Sequence, residues 1–163
     1  MIDTKRAFCM QSRAVPDAMR QGIIRIRRDQ SAPAFGNCSL DDNIGEGELK
    51  SGVAFGQING YLVWESATTV DEPGRYEITV WLWGGDSHGR NAAPLDSCTV
   101  DLTPRRCQRF KPKPGAKLRW MNIALTDGRQ VQAGSAAADK LGLVTIKALA
   151  VTKSKRRIAI TRD

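Results

Sequence analysis

Turn signals cut the chain into strand-sized pieces, and this punctuation constrains the fold more than any other feature. "NGYLVWESATTV" opens with Asn-Gly, and "DEPGRYEITVWLWGG" with Pro-Gly. "SCTVDLTP" alternates and ends at a proline, and "KPKPGAKLRWMNIAL" has a Pro-Gly turn followed by an alternating run. "TDGRQVQAG" carries Asp-Gly before a short strand, and "LGLVTIKALAV" and "RRIAITR" close the series. Glycine and proline turns between period-2 segments, spaced by roughly 8–12 residues, are the pattern of an antiparallel β-sandwich of about seven strands. Only "GSAAADKLG" could compete as a helix, and its alanines suit a loop as well. An all-β fold is expected over residues 46–163, with a jelly roll as the alternative topology.

Residues 1–45 read as a mostly irregular arm. In "PDAMRQG", Pro16 suits the first position of a short helical turn and Gly22 the position just past its end. "IIRIRR" then alternates Ile24 and Ile26 with Arg25 and Arg27, an edge strand guarded by basic side chains. "DQSAPAFGNCSLDDNIGEGELKSG" is rich in Gly, Asn, Asp and Ser and reads as loop. Asp41, Asp42, Glu46 and Glu48 lack the spacing of a calcium loop, so no metal site is expected there.

The strand from Gly74 to Gly85 has an unusual second face. Tyr76, Ile78, Val80 and Leu82 form a core stripe, while Glu77, Thr79, Trp81 and Trp83 lie opposite. At about 3.4 Å per residue the two tryptophans stand about 7 Å apart, a spacing on which consecutive sugar rings could stack. Glu77 and Thr79 would then hydrogen-bond hydroxyls. The other reading is that this face is covered, because large aromatics are more often buried than exposed. Trp64 and Trp120 continue core stripes with Leu62 and Leu118.

"NGYLVWESATTVDEPGRYEITVWL" resembles an element of extracellular accessory modules attached to polysaccharide-degrading enzymes. Gly60, Tyr61, Trp64, Pro73, Gly74, Tyr76, Ile78, Val80 and Leu82 carry the likeness. The tail "ADKLGLVTIKALAVTKSKRRIAITR" similarly resembles the closing hairpin of immunoglobulin-like and fibronectin type III-like sandwiches. The resemblance implies a non-catalytic, carbohydrate-binding module of a larger extracytoplasmic protein, with a glycan and a parent catalytic domain as partners. A structural or protein-interaction sandwich is the alternative.

Charge suggests a further partner. The 163 residues carry a net +8, with 10 Lys/Arg against 13 Asp/Glu up to residue 100 and 15 against 4 from 101 onward. "RRCQRFKPKPGAKLR" holds seven Lys/Arg, among them Arg105, Arg106, Arg109, Lys111 and Lys113. A second cluster, Lys153, Lys155, Arg156 and Arg157, sits in the closing hairpin turn. If the two clusters faced the same way, they would suit an acidic polysaccharide or another polyanion. No nucleic-acid motif accompanies them, so nucleic acid is not the expected partner.

Other classes find little support. No apolar run approaches the ~20 residues of a membrane helix, and the start lacks the apolar core of a secretory signal. Asp86, Ser87 and His88 are adjacent on a turn, whereas catalytic triads assemble from distant segments. No nucleophile elbow, phosphate-cradling glycine loop or zinc motif is present, so neither catalysis nor a cofactor is expected. Cys9, Cys38, Cys98 and Cys107 lack zinc spacing. Cys98 and Cys107 could bridge if the segment between them folded back, but four cysteines allow three full pairings and the spacing selects none.

Overall fold

The computed structural model describes residues 18–40, 61–85 and 92–162. Eight strands lie among them: β1 (Ala32–Gly36), β2 (Leu62–Glu72), β3 (Arg75–Leu82), β4 (Ser97–Arg105), β5 (Lys117–Ala124), β6 (Gln130–Ala137), β7 (Ile146–Thr152) and β8 (Arg156–Arg162). They form two sheets, ordered β1-β4-β7 and β2-β3-β8-β5-β6. Every neighbouring pair is antiparallel. The fold is therefore all-β, with one strand more than the turn signals indicate.

The extra strand is β1, inside the segment read as an arm. "APAFG" is short and interrupted by proline and glycine, so it has little strand signal of its own. It is a strand because β4 pairs with it from Ala32↔Arg105 to Gly36↔Asp101. β4 in turn runs through Pro104, opposite Pro33, rather than ending before it. "IIRIRR" departs the other way. Residues 24–27 form no ladder, yet they lie along β2, where the N–H of Ser66 donates to the Ile23 carbonyl at 3.0 Å and the Arg25 N–H to Ser66 Oγ at 2.9 Å. Upstream, residues 18–20 are helical and Gly22, at φ 70°, closes the turn by donating to the Met19 carbonyl, as its position past the helix end implies.

The turns behave as their residues dictate. Gly128 takes φ 72° in the β5–β6 turn, and the Asp127 carboxylate accepts the Arg129 N–H at 3.0 Å. Between the sheets, Tyr76, Ile78, Val80, Leu82, Leu118, Ile158 and Ile160 of the larger sheet meet Val100, Leu102, Ile146, Leu149 and Val151 of the smaller, all fully buried. Trp64 and Trp120 join this core at 3% and 8% exposure. The Trp64 ring is tilted against Phe35, with centroids 6.3 Å apart.

β7 is an outer strand of the smaller sheet, but its backbone is not left bare. The Gln132 side chain accepts the Ala150 N–H at 3.0 Å and donates to the Ala148 carbonyl at 3.1 Å. Asn122 donates to the Ala150 carbonyl at 2.8 Å, and Asp101 accepts the Ala148 N–H at 2.9 Å. The Gln132 and Asn122 side chains thus occupy groups that a further strand would have paired with, which protects the edge, while Asp101 of β4 fills the register slip on the paired side.

Candidate functional site

β3 is buried on both faces. Trp81 and Trp83 are 7% and 5% exposed, Thr79 is 2% exposed and Glu77 is half-buried. The expected sugar platform is corrected accordingly: as folded, the two indoles present no open face for a ring to stack on. Among the described residues, Lys155 lies over Trp81 with its ammonium 4.8 Å from the ring centroid, and it is held by Glu65 at 2.8 Å. Glu77 pairs with Arg75 at 2.8 Å, and the Thr79 N–H donates to Thr68 Oγ1 at 3.1 Å. The residues expected to read sugar hydroxyls are therefore engaged within the larger sheet.

The two basic clusters do not face the same way. β8 runs extended from Arg156, which opposes Val80 and Ala124, to Arg162, which opposes Leu118. Seven residues at about 3.4 Å each put the clusters on the order of 20 Å apart, at opposite ends of the sandwich. At the hairpin end, Lys153 pairs with Asp96 at 2.9 Å, Lys155 with Glu65, and Arg156 Nε donates to Thr152 Oγ1 at 3.1 Å. Arg157 is exposed on the outer face opposite Thr79. Most of this cluster's charge is spent on internal contacts.

The other end is built differently. Here β4 hands over to the loop 106–116, which the Asp71 carboxylate organises by accepting three successive backbone N–H groups. Gln108 donates at 2.5 Å, Arg109 at 3.1 Å and Phe110 at 2.7 Å. This turns Phe110 inward, 3% exposed, with its ring centroid 5.9 Å from that of Tyr76. Arg106 adopts φ 57° and donates to the Arg28 carbonyl at 2.8 Å. Arg162 donates to the Lys111 carbonyl at 3.1 Å. Arg109, Lys111 and Lys113 point their charges outward, while Arg105 is half-buried.

A cleft of about 460 Å³ opens beside this loop. One wall is Arg106, Cys107, Phe110, Lys111 and Pro112, with Pro104 beneath; the other is Leu141 to Val144. Asp139 shapes the second wall by accepting the N–H groups of Leu141 at 2.8 Å and Leu143 at 2.9 Å. Gly142, at φ 74°, lies so close that a Cβ there would stand 2.7 Å from the Pro112 carbonyl oxygen. The result is a cleft lined by apolar side chains together with two basic residues, Arg106 and Lys111. Such a site suits a ring that has an apolar face and an anionic substituent, since Arg retains further N–H donors for a carboxylate or sulfate after one is used internally. The basic tract signals its first wall in the sequence. The second wall lies some 30 residues downstream, in the turn Asp139–Gly142 and the residues after it, where one acid and one lysine give no comparable charge signal.

Burial pushes the Cys107 thiol up to about 12, with the nearby Asp71 charge acting in the same direction, so little thiolate forms at neutral pH. Both carboxylates near the cleft are committed to backbone N–H groups. Among the described residues no cluster of His, Cys, Asp and Glu could hold a metal, and no helix is long and apolar enough to cross a membrane. The Asp86–Ser87–His88 turn and the acidic stretch from Asp41 to Glu48 lie outside the described residues. No protein family, curated protein or solved structure matches this chain.

Proposed function

We propose that the chain is a non-catalytic module that binds an acidic polysaccharide at its basic end, serving a larger extracytoplasmic polysaccharide-active protein. The observation that carries this reading is the cleft between Arg106–Pro112 and Leu141–Val144, which sets apolar side chains beside Arg106 and Lys111 on a loop ordered by Asp71. Exposed Arg109 and Lys113 extend the positive surface beyond it. A polymer with regularly spaced carboxylates or sulfates would place one sugar in the cleft and its neighbours against these side chains. The burial of Trp81 and Trp83 moves the ligand away from the second face of β3 and from neutral glycans.

The test is a titration of the full chain with a polyuronate, a sulfated glycan and a neutral glycan at low and moderate salt. The acidic polymers should bind, and log K should fall linearly with log salt as counterions are released. Arg106→Gln/Lys111→Gln should weaken binding by about tenfold or more, which is about 1.4 kcal/mol. Lys153→Gln/Arg157→Gln, at the far end, should change it much less. Salt-independent binding of the neutral glycan would sink the proposal. Failure of all three polymers to bind would favour a structural sandwich whose partner is another protein domain.

A further inference from the structure

Cys98 and Cys107, one of the pairings that the spacing leaves open, do not meet. β4 runs extended from Cys98 to Arg105, a span on the order of 24 Å that carries Cys107 to the other end of the strand, far beyond the ~7 Å that a disulfide spans. Cys98 instead meets Cys38. Beyond β1 the chain stays against β4: the Ser39 N–H donates to the Thr99 carbonyl at 2.9 Å, and the Thr99 N–H to Ser39 Oγ at 3.0 Å. Both bonds join Ser39 to Thr99, the residues that follow the two cysteines, and so set Cys38 and Cys98 on one face of this pairing. Both are unbridged here, Cys98 buried and Cys38 partly exposed, in one apolar cluster.

We propose that Cys38 and Cys98 are a modification site, a dithiol that a small disulfide oxidant closes to an intramolecular disulfide. Across the Ser39–Thr99 pair the two cysteines are diagonal neighbours on one face, with a Cα separation of about 7–8 Å and Cβ atoms somewhat closer, so closure draws the partly exposed segment after β1 slightly toward β4. The sequence of attack follows from exposure. Cys38, the accessible member, attacks the oxidant as thiolate and releases one small thiol. Cys98 then loses its proton and attacks the Cys38 sulfur, releasing the second thiol. Two protein thiols are oxidised and one small disulfide is reduced to two thiols. The contact with Cys38, then burial, holds the Cys98 thiol well above its ordinary range, which fits its acting second and not as the initial nucleophile. The bridge would pin the segment after β1 to the start of β4, at the end of the sandwich remote from the cleft.

The full chain is incubated with mixtures of reduced and oxidised glutathione, quenched by alkylation, digested and mapped by mass spectrometry. A Cys38–Cys98 crosslinked peptide should dominate, with Cys107 recovered alkylated. Closure should raise Tm by roughly 5–15 °C, the range for a disulfide in a domain of this size. Cys98→Ser should stop at a glutathione adduct on Cys38, whereas Cys38→Ser should leave Cys98 unmodified. Polyanion affinity should be unchanged by closure, which separates this test from that of the cleft. Recovery of both cysteines alkylated in excess oxidant, or bridging of either to Cys9 or Cys107, would overturn the proposal, and so would a fall in Tm on closure.

Discussion

Asp71 accepts the backbone N–H of Phe110 at 2.7 Å, and this bond, with its partners at Gln108 and Arg109, converts a proline-stiffened basic tract into one wall of a cleft. A carboxylate at the end of β2 thereby orders a loop 37 to 39 positions later in the chain. Asp71→Ala sets two effects against each other. Removing a negative charge beside a cationic site should tighten polyanion binding, whereas loosening the loop should weaken it. Net hydrogen bonds to charged groups are worth about 1.5–3 kcal/mol, more than the screened surface charge offers. Weaker binding is therefore expected, with stability lower by about 2 kcal/mol. Hydrogen exchange at Gln108 to Phe110 should accelerate; tighter binding with unchanged exchange would refute the loop's role.

Trp81→Ala and Trp83→Ala should each cost about 3–5 kcal/mol in urea unfolding, the range for deleting a buried aromatic ring. Trp83→Phe should be milder, below about 2 kcal/mol. It removes an indole N–H that is buried without an acceptor, so part of the lost packing is offset by relief of that unsatisfied group. Near-wild-type stability of both alanine variants would show that these side chains do not support the core.

Stability should fall in acid through Asp101. Burial alone would raise its pKa, but the Ala148 N–H, the Asn37 amide at 2.8 Å and Lys147 at 3.2 Å outweigh that and hold it below the ordinary carboxylate range. The sign follows: with the folded value depressed, the contribution is complete above the unfolded pKa of about 3.9 and is lost as pH falls through the folded value. Asp101→Asn should lower Tm at pH 7 and flatten its decline below about pH 4. A variant whose acid limb matches the parent's would assign that limb to other carboxylates.

Gly142 and Gly115 both have positive φ, 74° and 77°, but only Gly142 has a neighbour where a Cβ would go. Gly115→Ala should cost about 1 kcal/mol for backbone strain alone. Gly142→Ala adds a clash with the Pro112 carbonyl, so it should cost about 1–3 kcal/mol more and widen the cleft. Thermal unfolding of both, with polyanion affinity, separates the contributions. Equal losses in the two variants would mean that the second wall yields freely.

Much of this architecture can be read from local pattern. The alternation in β3, β5 and β8, and the Pro-Gly and Asp-Gly turns, act within a few residues, so the chain itself records them. β1 is different, because "APAFG" is a strand only through its partner β4. The second face of β3 shows the same limit: alternation places Trp81 and Trp83 on one side, but nothing local says what lies over them. Arg106 and Arg156 share a charge signature, and only the direction of β8 reveals that they sit at opposite ends. Cys98 lies nine positions from Cys107 and sixty from Cys38, and spacing alone cannot say which it meets.

The order of the larger sheet also bears on how the chain is made. β8 is the last strand in sequence yet lies in the middle of the sheet, between β3 and β5. On a ribosome, the hairpins β2–β3 and β5–β6 emerge first, and each exposes the edge that β8 will fill. Neither can close over the core until residues 156–162 leave the exit tunnel, so this sheet is completed only after every other described strand has been made. Until then Ile78 and Leu118 stand beside vacant rows, the condition under which nascent β-proteins depend most on chaperones. A premature stop before residue 156 would leave the larger sheet as two unjoined hairpins, β2–β3 and β5–β6, beside the β1-β4-β7 sheet.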